Sequence, residues 1–213
     1  MTLPQDEQQS LPSPPSFPPA PWRMSGRMWM GLFPVPRLPP VPGGLSVVLP
    51  RHLLVAAIRY LDGDLRYNEF VIASAVRSGF RVGAFIHHIW VDNAISQEGG
   101  RHIWGLDKQL ANFQWTDQQV RITSDQGLRV TMAAHPGRRA TLPLLMPLPA
   151  FAPRRGQLTY ALAPVRLHAG PTQLSLTDWP AALPTLSRTT TRIALQSPRF
   201  RVAVPAPHPV NDR

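Results

Sequence analysis

No cysteine occurs in the 213 residues, which removes disulfide scaffolds, thiolate metal sites and cysteine nucleophiles from consideration. Acidic side chains are scarce too: 12 stand against 22 lysines and arginines, for a net charge of +10. No apolar run approaches the ~20 residues that a membrane span needs. The opening residues, with Gln5, Asp6 and Glu7 among them, lack the basic region and apolar core of an export signal. These absences predict a soluble, cytoplasmic protein with no membrane partner. The sharpest scarcity is lysine, because Lys108 is the only one and every other member of the basic count is arginine. Arginine keeps its charge at any working pH, whereas a desolvated lysine amine can lose its proton and attack a carbonyl.

The arginines are spread from Arg23 to Arg213, with only Arg138-Arg139 and Arg154-Arg155 as doublets. No basic helix or finger motif accompanies them, so they read as a solvated basic surface and no nucleic-acid partner is expected. The serines lack a nucleophile-elbow pattern, and no phosphate-binding glycine loop is present. His87 and His88 are adjacent, so in a regular strand they point to opposite faces and do not share one metal ion. No metal and no cofactor is expected.

Proline dominates Leu11 to Pro21 and returns from Pro34 to Pro42, which suits polyproline II or irregular chain rather than helix or sheet. Between these clusters, Arg27 to Phe33 reads as a first strand. The spacing of apolar and β-branched residues then predicts strands over His52–Leu61, Tyr67–Val76 and Phe80–Val91, separated by the turn signals Asp62-Gly63-Asp64 and Ser78-Gly79. Asp92-Asn93 can cap a short helix over Ala94 to His102, which Gly99-Gly100 weakens. Further strands are predicted over Gln119–Ser124, Leu128–Ala133, Ala140–Leu145, Gln157–Leu167, Thr172–Leu176 and Thr190–Val204. The fold class is therefore mainly β, of α+β type: an antiparallel β-barrel or double sheet with a few short helices.

Glu69 lies mid-strand among Phe70, Val71 and Ile72 and shares a face with Tyr67, Val71 and Ala73. A carboxylate on an internal face needs a partner. Lys108 has apolar neighbours in Trp104, Leu106 and Leu110, which can desolvate it. Asp107 in an extended segment points away from it. With an ordinary lysine pKa near ~10.4, only about one amine in a few thousand is neutral at pH 7. Burial has to supply most of the change.

The run Phe85-Ile86-His87-His88-Ile89-Trp90-Val91-Asp92-Asn93, followed by Gly100-Arg101 and Trp104-Gly105-Leu106-Asp107-Lys108, resembles the acetoacetate decarboxylase family. Upstream, Pro21-Trp22-Arg23-Met24-Ser25-Gly26-Arg27 is similar to that family's opening strand, and Tyr67-Asn68-Glu69 to the segment with its pocket glutamate. The resemblance implies a barrel of that type and a Schiff-base lyase acting on a small oxo acid, most simply by decarboxylation of a β-keto acid. Lys108 would be the nucleophile, Glu69 would shuttle protons, and Arg27 would face the pocket and hold the substrate carboxylate. His87, Trp104 and Leu106 would line the substrate site, and a homo-oligomer is implied. A Schiff-base aldolase or dehydratase, or a non-catalytic ligand-binding barrel, are the alternative uses of such a scaffold. The family's frequent second lysine is Gln109 here, its proline is Asp107, and no carboxylate stands between Leu53 and Ala57. The organisation expected is a proline-rich tail over 1–20, one domain of this type over 21–205 and a C-terminal tail over 206–213.

Overall fold

The computed structural model describes residues 17–135 and 141–210. Most of the proline-rich segment, Pro136-Gly137 and the last three residues therefore lie outside the described residues. In chain order the strands are β1 (Trp22–Pro34), β2 (Ser46–Val47), β3 (His52–Gly63), β4 (Tyr67–Ser78), β5 (Arg81–Val91), β6 (Lys108–Leu110), β7 (Asn112–Trp115) and β8 (Gln119–Thr123). They continue with β9 (Arg129–His135), β10 (Leu142–Arg154), β11 (Gln157–Pro171), β12 (Gln173–Thr177), β13 (Thr190–Thr191), β14 (Ala194–Val204) and β15 (His208–Pro209). Helix α1 (Ala94–Gly99) runs directly into a π-helical turn over Gly100–Trp104.

Seven strands close a barrel in the order β4-β3-β1-β14-β11-β10-β5, because β5 pairs with β4 on its other edge. The pairing is antiparallel except where β10 meets β5, at Ala150↔Ala84 and Phe151↔Phe85. Strand β6 extends β5 in parallel, at Ile89↔Lys108. A second sheet, in the order β13-β12-β9-β8-β7, packs on the outside of the barrel. The fold class expected from the sequence is present, with this parallel contact as an addition to it.

Several bounds differ from those expected, each for a local reason. Strand β1 starts at Trp22 rather than Arg27 because Gly26 allows β3 to approach: a Cβ there would lie 1.9 Å from the Arg59 carbonyl oxygen. Strand β10 runs on to Arg154 despite Pro143, Pro147, Pro149 and Pro153. These prolines sit at odd positions, so their missing N–H groups fall on one edge and the ladder to β11 persists. Residues 208 and 209, expected in the C-terminal tail, pair with Tyr160 and Thr159 of β11. At the other end Phe17 stacks on His102, and the Trp22 indole donates to the Pro18 carbonyl.

Two faces of the barrel wall differ in packing. On β3, Leu53, Val55 and Ala57 point outward and are fully buried against Val120, Ile122, Val130 and Met132 of the second sheet. The leucine, valine, isoleucine and methionine side chains among these each contribute on the order of 1.5–3 kcal/mol when buried. Leu54 and Ile58 point inward, yet are only partly buried. The compact core thus lies between barrel and second sheet, while part of the barrel interior is hollow.

Candidate active site

Lys108 enters that hollow from β6 and is 3% exposed. Its Nζ donates to Glu69 Oε2 at 2.9 Å and to Ser96 Oγ at 3.1 Å. Three local features hold it there. Parallel pairing with β5 sets its register opposite Ile89. The Gln97 amide, one turn along α1, donates to the Lys108 carbonyl at 3.0 Å. Gly100 leaves room for the lysine stem, since a Cβ at that position would lie 2.6 Å from both Lys108 Cδ and Cε.

Ser96 owes its place to the helix cap. Asn93 Oδ1 accepts from Ser96 N at 2.9 Å, which satisfies one of the unpaired amides of the first turn. Asp92 Oδ1 accepts from Asn68 N at 2.7 Å and so ties the end of β5 to the start of β4. Beyond Gly99 the helix widens into the π turn, which closes at Gly105 in the left-handed region with φ 71°. That turn brings Trp104 inward, where its indole donates to the Pro205 carbonyl at 2.7 Å. Gly99 itself packs on Trp22, leaving no space for a Cβ. The glycine pair that reads from sequence as a helix weakener therefore permits close approach to two residues of the site.

Glu69 faces inward with Tyr67, Val71 and Ala73, as strand alternation requires. A buried ion pair is costly unless its remaining hydrogen-bonding capacity is met. Here the hydroxyls of Tyr60 and Tyr67 donate to Glu69 at 3.4 and 3.5 Å, and Lys108 Nζ stands 5.0 Å from the centre of the Tyr67 ring. Burial first, and the Glu69 charge second, hold both phenols well above their ordinary pKa of 10.0. They stay protonated and remain donors. The cavity has a volume of about 210 Å³ and its lining is largely hydrocarbon.

Of the residues singled out in the sequence, Lys108, Glu69, Trp104 and Leu106 come together on this cavity. Asp107 is turned to solvent, where its carboxylate pairs with Arg101 at 3.1 Å. Two residues are elsewhere. Arg27, expected to face the pocket, lies on the outer side of β1 with its guanidinium 5.2 Å from the centre of the Trp115 ring. The inward residues of that strand are Trp22, Met24 and Met30, all at even positions, so Arg27 falls on the opposite face. His87, expected in the lining, is the extra residue where β4–β5 register shifts between Ile72↔His88 and Ala73↔Ile86. Its Nε2 lies 2.8 Å from Ser74 Oγ, away from the cavity. Burial, and then the neighbouring His88, lower the His87 pKa to about 4.

Ser96 and Tyr60 were not identified from sequence, and Gly100, read there as a helix weakener and as part of the family pattern, was not recognised as the room for the lysine stem. Tyr60 could have been found, because strand pairing sets it opposite Tyr67, two residues from Glu69.

A family model described as acetoacetate decarboxylase matches residues 38–154. No curated protein matches the chain by sequence. Among solved structures, acetoacetate decarboxylase from Legionella pneumophila is similar with a TM-score of 0.73 at 18% identity, over 100% of this chain and 99% of that one. A further acetoacetate decarboxylase structure gives 0.73 at 20% identity, over 97% and 96%. The enduracididine biosynthesis enzyme MppR complexed with pyruvate gives 0.60 at 16% identity, over 92% and 93%. At these identities the likeness is one of fold.

Proposed function

Because the chain belongs to the acetoacetate decarboxylase family, we propose that it is an imine-forming lyase that decarboxylates a β-keto acid on Lys108. The observation that carries this reading is the burial of the sole lysine on an apolar cavity, 2.9 Å from a carboxylate able to exchange protons with it. Glu69 takes a proton from the Lys108 ammonium, and the neutral amine attacks the ketone carbon. Glu69 returns the proton to the carbinolamine hydroxyl, water leaves, and a protonated imine forms. The electron pair of the bond to the carboxylate then flows toward the imine nitrogen. Carbon dioxide departs and an enamine remains. Glu69, now a carboxylate, takes up a proton from water and passes it to the enamine carbon, and hydrolysis of the resulting imine releases the ketone and restores the amine.

The Tyr60 and Tyr67 hydroxyls steady Glu69 through these exchanges, and Ser96 orients Nζ. With Gln109 in place of a second lysine, the desolvated surroundings and the Glu69 proton exchange carry the activation. Arg27 takes no part, so the departing carboxylate lies beside the imine nitrogen rather than in an arginine clamp.

Aldol cleavage or condensation is the second reading, because the same enamine adds to an aldehyde. It is favoured by MppR, a protein of similar fold whose structure is complexed with the condensation product of pyruvate and imidazole 4-carboxaldehyde. Incubation with acetoacetate and a panel of 2-oxo acids, with carbon dioxide measured, separates the readings. Release from acetoacetate that is lost in Lys108→Arg supports decarboxylation. A folded protein that releases none, yet condenses a 2-oxo acid with an aldehyde, supports the second reading.

A further inference from the structure

The cavity carries information about what lies beyond the reacting carbonyl. Along β4 the inward positions run from Glu69 through Val71 to Ala73, about 13 Å at the usual rise per residue. Beside them stand Ile86 and Ala84 of β5 and Ala150 of β10. The alanines hollow out the wall at this depth, which is why the inward Met30 and Leu54 retain exposed surface. Lys108 and Glu69 are the charged side chains among the described lining residues, and they neutralise each other. Arg27 lies outside the barrel over Trp115. A second anion carried down this lumen would lose its water with no cation to meet it, a penalty of several kcal/mol.

We infer that the lumen selects carbonyl compounds carrying an uncharged hydrocarbon chain on the far side of the reacting carbonyl, longer than the methyl group of acetoacetate. The inference rests on Lys108 as the imine-forming residue. The charged end of a β-keto acid remains beside the nitrogen, and its acyl chain extends along Val71, Ala73 and Ala84. The space amounts to roughly seven water molecules at ~30 Å³ each, enough for a chain of several carbons.

The test is borohydride trapping on Lys108 with butanone, heptanone, nonanone and the nonanone analogue ending in a carboxylate, each below saturation. Trapping is expected to rise about three- to fourfold per added methylene until the lumen is filled. The carboxylate-ended analogue should fall at least about tenfold below nonanone. Ala73→Phe should lower the ratio of nonanone to butanone trapping, and Ala150→Leu tests the same space from another strand should the first variant fail to fold. Equal trapping along the series, or preference for the charged analogue, overturns the inference.

Failure of the imine reading gives a different signature: no adduct on Lys108 with any of these compounds or with acetoacetate. Titration followed by the fluorescence of Trp22 and Trp104, which line the cavity, then decides. Tighter binding of nonanone than of butanone upholds the lumen's selectivity without the imine, and no difference between them overturns it.

Discussion

Lys108 and Glu69 sit together because each solves the other's burial problem. Two contacts of the ammonium are hydrogen bonds to oxygen and a third side faces the Tyr67 ring, so a charge that would be costly alone is matched. Removing one partner should expose that cost. Glu69→Leu leaves a buried ammonium without its counter-ion and is expected to lower stability by about 3–5 kcal/mol as well as abolish imine formation. Arg27→Met, outside the lumen, should keep kcat/KM within about threefold, with any loss confined to stability through the contact with Trp115. Denaturant melts alongside trapping rates check both, and a collapse of activity in Arg27→Met would return the arginine to the site.

His87 makes a separate prediction from its lowered pKa. In the unfolded chain an imidazole near ~6.5 binds its proton more readily than the folded one near 4. The folded state's advantage is therefore complete above about pH 6.5 and is lost as pH falls toward 4. His88, lowered by burial as well, acts in the same direction. Replacing His87 with glutamine should make the urea midpoint less sensitive to pH between 6.5 and 4 than in the unmodified protein. Parallel pH profiles for the two proteins would contradict the assignment.

At the scale of elements, what could be read from sequence followed from period. Alternation in β4 places Glu69 with Tyr67, Val71 and Ala73 on one face, and the structure has them there. The same alternation in β1 sets Arg27 opposite Trp22, Met24 and Met30; only the family resemblance pointed it inward. His87 escaped the rule because the β4–β5 register shifts at that residue, and no residue type announces the shift. Ser96 was illegible for another reason: its hydroxyl reaches Lys108 only through the geometry of a helix capped by Asn93. The close approach of Gly99 to Trp22, distant in sequence, and of Gly100 to the Lys108 stem was equally illegible. Gly100→Ala should therefore disturb the Lys108 stem, lowering trapping by at least about tenfold while circular dichroism stays native. Unchanged trapping would show that the stem can shift without consequence.

Over the whole molecule, the second sheet supplies a solid core on one side of the barrel wall and frees the interior to remain open. No helix among the described residues is long and apolar enough to cross a membrane. Neighbouring leucines of β3 measure the difference. Leu53→Ala, in the packed layer, should cost about 2–5 kcal/mol. Leu54→Ala, bordering the cavity, should cost under about 1 kcal/mol because it already faces empty space. Equal losses in urea denaturation would mean that the interior is packed rather than hollow.

The proposed chemistry makes a covalent bond at one nitrogen, and the lone lysine makes that bond simple to detect. After incubation with acetoacetate and borohydride, the denatured chain is digested with a lysine-specific protease. Unmodified protein is cut once, after Lys108. Trapped protein is expected to stay uncut and to carry on Lys108 the mass of a reduced acetone adduct, carbon dioxide having left first. Complete cutting after Lys108, with no added mass on that residue, would contradict the proposed chemistry.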